Sequence, residues 1–117
     1  MRRAVLALAA ALVLAGPAAA QEGRYSGASS IAGGTGKCWG NAPADGVVSG
    51  GTVTIRYVAY DGTQASVSAQ LGKDGTFSAS HAIKDGKTIA YAGKVTGRGI
   101  VATWKGPDCY GTLDLSR

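Results

Sequence analysis

The chain has 117 residues, which is the length of one small domain. Its 19 glycines, 3 prolines and single methionine indicate many turns and few long helices, so an all-helical domain is not expected. One histidine, two cysteines and seven carboxylates are too few for most familiar catalytic or metal-binding constellations, and we expect neither a metal nor a cofactor. The formal net charge is +5, but the basic residues after Arg3 are scattered singly. Nucleic-acid binding, which usually needs a clustered basic face, is therefore not expected.

The first 20 residues have the pattern of a signal peptide. A basic start at residues 1–3 precedes an apolar stretch at 4–16, and three small residues at 18–20 give a cleavage pattern. The apolar stretch is shorter than the roughly 20 residues that cross a bilayer as a helix, so we expect no membrane span. We predict cleavage after Ala20, a mature single domain at 21–117, and a periplasmic or secreted location.

Export bears on the two cysteines. An even number of cysteines in an oxidising compartment is more often bridged than free, so we predict a disulfide between Cys38 and Cys109. Closing a loop of this length contributes roughly 4 kcal/mol through the unfolded state. A catalytic thiol would need a base, and His81, the one histidine, is far in sequence from both cysteines.

From Gly51 onward, apolar and polar residues alternate with period two, which predicts half-buried strands joined by hairpins. The turns fall at Asp61-Gly62, Asp74-Gly75, Asp85-Gly86, Gly97–Gly99 and Gly106–Asp108. The predicted inward positions are Val53, Ile55, Tyr57, Ala65, Val67, Ala69, Leu71, Phe77, Ala79, Ile89, Tyr91, Val95, Ile100, Ala102, Trp104, Cys109, Gly111, Leu113 and Leu115.

Before Gly51, the residue pattern predicts a first strand at 24–29, a glycine-rich loop at 31–36 and a short strand at 47–48. The fold class is all-β: about eight strands in an antiparallel up-and-down meander that closes as a small barrel or folds over as a sandwich. With about eight strands and many alanines, the interior should be narrow and filled by side chains.

A glycine-rich run at 33–37 invites a phosphate-loop interpretation, which the flanking residues do not support. The first glycine of that motif would fall at Ile31, and Cys38 stands where serine or threonine belongs. No helix pattern follows the run. We interpret this segment as a flexible loop.

The acidic residues and the histidine are also poor candidates for chemistry. Asp61, Asp74 and Asp85 each precede a glycine at a different hairpin tip, so turn formation explains them better than calcium binding. Ser80 and His81 are neighbours on a strand and point to opposite faces, so they cannot form a nucleophile–base pair.

The predicted disulfide brings its neighbours together. Trp39 and Tyr110 each follow a cysteine, and Lys37 and Lys105 lie nearby in sequence or across a hairpin. Such an aromatic pair, rimmed by lysines, is a candidate binding patch for a sugar ring or a partner's side chain. The alternative is that the two aromatic residues cover the disulfide and the open end of a small core.

Residues 23–27, with the sequence Gly-Arg-Tyr-Ser-Gly, the Asp-Gly hairpins and the closing Cys-x-Gly-x-Leu at 109–113 resemble a loose group of short, exported, largely uncharacterised bacterial all-β proteins. Export, size, strand content and the Cys38-Trp39 pair are also similar to small periplasmic barrels that inhibit secreted metalloproteases. Those inhibitors have a short-range disulfide and a longer N-terminal arm than residues 21–24 provide. No inhibitory residue carries over.

We therefore expect a non-catalytic, exported binding module of the cell envelope, with an unknown protein or glycan as its partner. The alternative is an inhibitor of a secreted or envelope hydrolase, for which the segment 30–44 is the one candidate loop of adequate length. An enzyme is not expected, because no titratable pair has a convincing geometry.

Overall fold

The computed structural model describes residues 21–36, 38 and 40–117. The predicted signal peptide at 1–20 lies outside the described residues, as do Lys37 and Trp39. The strands are β1 (Gly23–Gly34), β2 (Asn41–Ser49), β3 (Thr52–Val58), β4 (Gln64–Gln70), β5 (Thr76–Ala82), β6 (Thr88–Val95), β7 (Gly99–Lys105) and β8 (Cys109–Ser116). A short 3-10 turn, Lys84–Gly86, lies between β5 and β6.

All eight strands belong to one antiparallel sheet with the order β4-β3-β2-β1-β8-β7-β6-β5. Most pairs of hydrogen-bonded strands are consecutive in the chain. The exception is the pairing of the first strand with the last, in which 26–34 of β1 lie along 109–116 of β8. β4 and β5, at the two ends of this order, lie against each other but are not hydrogen-bonded neighbours in it. The prediction of an eight-stranded meander is confirmed, and the sheet is a nearly closed barrel. We call the line between β4 and β5 the seam.

The interior is filled by the inward faces of the strands, as the alternation predicts. Ile55, Ile89, Ile100 and Leu113 are fully buried, and Trp104 is 3% exposed. Leu71, Ala69 and Ala79, beside the seam, pack against this core but remain partly exposed. Other inward residues of the two seam strands, such as Ala65 and Val67 on β4, are buried.

The first two strands are longer than the sequence predicts. β1 continues to Gly34, so most of the loop predicted at 31–36 is strand, with a register shift between Ile31 and Gly33. β2 begins at Asn41 and is not limited to the predicted residues 47–48. The connection between the two strands is consequently 35–40, much shorter than the predicted loop at 30–44.

Two of the three Asp-Gly turns use the aspartate carboxylate as an acceptor, whereas Asp85, in the third, itself adopts a positive φ of 64°. The carboxylate oxygen Oδ1 of Asp61 accepts hydrogen bonds from the backbone N–H of Thr63 at 3.1 Å and from its hydroxyl at 2.6 Å. Asp74 and Thr76 repeat this arrangement at 3.2 and 2.7 Å. Gly62 and Gly75 lie between the aspartate and the threonine of these two turns and have φ of +85° and +84°. These positive values favour glycine over other residues.

Candidate functional site: the disulfide end of the barrel

Alternate connections of an up-and-down meander lie at the same end of the barrel, and four of them form the end that carries the disulfide. These are the connections at 35–40, 59–63, 83–87 and 106–108. The disulfide joins Cys38, in the first connection, to Cys109, at the start of β8, with the two Cα atoms 5.4 Å apart. The predicted pairing is confirmed. We call this the disulfide end.

Tyr110 points outward from β8, next to the buried Cys109. It lies opposite Lys105 on β7 and opposite Gly33 on β1. A Cβ atom on Gly33 would lie 2.5 Å from Tyr110 Oη and 2.8 Å from Cζ, so the phenol ring occupies the space that a larger residue would need. Packing against Gly33 holds the ring, yet 49% of Tyr110 remains exposed.

Beside Tyr110 is a depression of about 740 Å³ on the outer face of β6, β7 and β8. Small and hydroxyl-bearing side chains form its floor, with Tyr110 and Lys105 among its walls. We call it the outer groove, defined by Ala90, Ala92, Thr103, Lys105, Tyr110 and Thr112. Of the four residues predicted to form a binding patch, the structure places Tyr110 and Lys105 together here. Trp39 and Lys37 lie outside the described residues.

Inside the same end, the rings of Tyr60 and Trp104 stack with centroids 5.7 Å apart and an interplanar angle of 16°. The Tyr60 hydroxyl lies against the connection at 106–108, where a Cβ on Gly106 would be 2.5 Å away. Burial raises the pKa of Tyr60. Tyr60 Oη and Trp104 Nε1 are both buried and have no hydrogen-bond partner within the described part of the chain.

A second aromatic pair crosses the interior, and one of its members, Tyr91, is the register partner of Trp104. The hydroxyls of Tyr57 on β3 and Tyr91 on β6 are 2.5 Å apart, and their rings meet edge to face with centroids 6.3 Å apart. Both residues are buried. Burial raises the pKa of each, so both phenols are protonated at neutral pH.

Asp61, Thr63 and His81 form a hydrogen-bonded chain across the seam. Thr63 Oγ1 donates to Asp61 Oδ1, and His81 Nε2 lies 2.9 Å from the same Oγ1. Because the threonine proton is directed to the carboxylate, Nε2–H of His81 is the donor in the second bond. Partial burial by itself raises the pKa of Asp61, but the Thr63 hydrogen bonds and the nearby His81 outweigh it and lower that pKa below its ordinary value. These hydrogen bonds connect the turn at 59–63 to β5.

Tyr57, Tyr60 and Tyr91 were not predicted as site residues from the sequence. A signal for two of them was present, because Tyr57 and Tyr91, like Trp104, are inward positions near the disulfide end of their strands. Tyr60 lies in a connection, where strand parity does not apply.

Among residues 21–36, 38 and 40–117, no three His, Cys, Asp or Glu side chains cluster as a metal site would require. Within those same ranges, no helix is long and apolar enough to cross a membrane. Comparison of the chain with models of protein families, with curated proteins and with solved structures finds no match.

Proposed function

We propose that this protein is a non-catalytic, exported module of the cell envelope that binds a glycan strand in the outer groove at its disulfide end. The observation that carries the proposal is that Tyr110 is both held in place and exposed to solvent. Its ring is held against Gly33 on a paired strand, while about half of the side chain, 49%, is open to solvent at the wall of the groove.

The chemistry of the groove suits a sugar ring. An aromatic face offers apolar area to the C–H face of a sugar, and its hydroxyl offers a hydrogen bond. The hydroxyls of Thr103 and Thr112 and the ammonium of Lys105 lie on the same outer surface and can bond to sugar hydroxyls. The small side chains of Ala90 and Ala92 leave room for a ring.

The scaffold also favours binding. Tyr110 lies on β8, which is paired on both sides and follows a disulfide-bonded cysteine. A side chain fixed in this way loses little conformational freedom when a ligand binds. The disulfide itself supports export, because such bonds persist in oxidising compartments. A non-catalytic role is supported by His81 and Asp61, whose side chains are both engaged with Thr63 in holding a turn.

Co-sedimentation of the purified protein with insoluble peptidoglycan tests the proposal. We expect Tyr110→Ala to weaken binding roughly thirtyfold, about 2 kcal/mol, and Tyr110→Phe to retain most of it, because the ring provides the stacking surface. Val47→Ala is the matched control, since Val47 is 42% exposed on β2, away from the groove. Equal binding by the wild type and Tyr110→Ala would contradict the proposal.

A parallel capture from envelope extract tests for a protein partner. Recovery of a hydrolase that loses activity on binding, with no binding to peptidoglycan, would replace the glycan proposal by the inhibitor alternative.

A further inference from the structure

A second, smaller cavity opens at the disulfide end, and its lining combines buried residues with exposed ones such as Val58. It is separate from the outer groove except that Trp104 contributes to the walls of both. It has a volume of about 260 Å³, and its walls include Ser29, Ile31, Ala42, Tyr57 and Tyr60. We call it the mouth cavity. Most of its surface is apolar, and the two stacked rings form one side.

The size of the mouth cavity limits its occupant. A dry apolar cavity of about 150 Å³ already accommodates benzene, whereas drug-sized ligands usually occupy about 300 Å³ or more. A space of about 260 Å³ therefore suits a molecule with a single ring and a small substituent. The described residues that line the cavity include no charged side chain, so a charged molecule would find no counter-charge there.

The wall carries several polar groups, among them the buried Tyr60 Oη and Trp104 Nε1. Tyr57 adds a further donor, which gives the occupant a chemical requirement. Tyr57 and Tyr91 share a single hydrogen bond, although each hydroxyl carries a proton. One of the two protons consequently has no acceptor in the part of the chain that the structure describes. Tyr57 is the member of the pair that lines the mouth cavity, and it can donate this proton to an occupant while it accepts the proton of Tyr91.

We infer that the mouth cavity binds an uncharged, one-ring molecule that carries a carbonyl oxygen, with that oxygen accepting a hydrogen bond from Tyr57. This site goes beyond the proposed glycan surface and does not depend on it. Tyr60 and Trp104 pack against the ring of the ligand, and Ile31 and Ala42 close the opposite side.

Titration of the isotope-labelled protein with cyclohexanone, followed by NMR, tests the inference. Methylenecyclohexane is the matched comparison, because it replaces the carbonyl oxygen by a CH2 group of similar shape. We expect saturable shifts at the Trp104 indole and the Ala42 amide, and an affinity for cyclohexanone roughly three- to tenfold higher than for the hydrocarbon.

Three variants make the test specific. Ala42→Leu fills the cavity and should abolish the shifts, while leaving peptidoglycan binding unchanged. Tyr57→Phe keeps the volume and should remove the preference for the ketone, whereas Tyr91→Phe keeps the Tyr57 hydroxyl and should retain that preference. Absence of saturable shifts in the wild type would overturn the inference. A ketone preference that survives Tyr57→Phe, or shifts that persist in a folded Ala42→Leu variant, would also overturn it.

Discussion

Trp104 lies across Gly111, its register partner on β8, and a Cβ atom on that glycine would come within 2.7 Å of the indole Cζ2. Outside the same strand, Tyr110 lies across Gly33 in the same manner. Trp104 and Tyr110 thus each occupy the space above a glycine on the neighbouring strand. The glycines at these positions are required by packing, since neither Gly111 nor Gly33 has a positive φ.

Trp104 and Tyr110 lie on opposite faces of the sheet, so their removal should affect stability differently. Trp104→Ala should lower the free energy of unfolding by roughly 3 to 5 kcal/mol, because it removes a buried indole and its stack with Tyr60. Tyr110→Ala should cost about 1 kcal/mol or less, because about half of that side chain is already in water. Denaturant unfolding measures both values, and equal losses would contradict the assigned faces.

A glycine pair tests the packing argument directly. Gly111→Ala should destabilise the protein by roughly 1 to 3 kcal/mol or more, since the new Cβ would lie 2.0 Å from the backbone oxygen of Ser30 as well as against Trp104. Gly97→Ala is the matched control: no atom lies within 4 Å of its Cβ position, and its φ is not positive. Its stability should stay within about 0.5 kcal/mol of the wild type. Thermal denaturation of both variants compares them, and similar melting temperatures would refute the packing role of Gly111.

The strands that the sequence predicts well are those with clear alternation and Asp-Gly turns, from β3 to β8. The ends of β1 and β2 were missed because Gly33, Gly34 and Pro43 are poor strand formers by composition. Pro43 is tolerated because it pairs with Ala28 on β1, while the β2–β3 ladder does not begin until Ala44. At Pro43 the strand is therefore an edge, and the missing N–H disrupts no second ladder.

The candidate site was only partly predictable for a different reason. The position of Tyr110 follows from strand parity and one disulfide, both of which are visible in the sequence. The Tyr60–Trp104 stack depends on how the connection at 59–63 bends over the barrel, and no periodicity encodes that. The hydrogen bond between Tyr57 and Tyr91 joins β3 to β6, which are not neighbours in the sheet.

The disulfide should contribute a large share of the total stability. A domain this small buries only about two thirds of the surface of its chain, so reduction, or the Cys38→Ser substitution, should cost roughly 2 to 5 kcal/mol. Unfolding in guanidinium with and without reductant measures the difference. Thiol titration under native oxidising conditions should find no free cysteine, and a positive result would contradict the pairing.

Asp61 gives the stability a dependence on acid. Its folded-state pKa is below the ordinary value of 3.8, so its ionised form stabilises the fold above about pH 4, and this stabilisation is lost as the pH falls through the lowered pKa. Asp61→Asn should therefore be less stable than the wild type at neutral pH, and the difference should shrink in acid. Unfolding curves between pH 7 and about pH 2 provide the measurement.

Two substitutions of Thr63 provide the control for the acid dependence. Thr63→Ser keeps the hydroxyl that donates to Asp61 and should preserve the acid dependence, whereas Thr63→Val removes the hydroxyl and should weaken the dependence. A constant difference between Asp61→Asn and the wild type across the whole pH range would contradict the assignment.

The seam also determines what a break in the chain would do. Cutting the connection at 71–75 separates β1–β4 from β5–β8 at the one place, among the eight strands that the structure describes, where consecutive strands are not hydrogen-bonded neighbours. The two fragments remain joined by the ladder between β1 and β8 and, covalently, by the disulfide, because Cys38 lies in the first fragment and Cys109 in the second. The molecule is thus two four-stranded halves joined along their terminal strands, and after a nick in the 71–75 connection the two fragments would stay covalently linked until the disulfide was reduced.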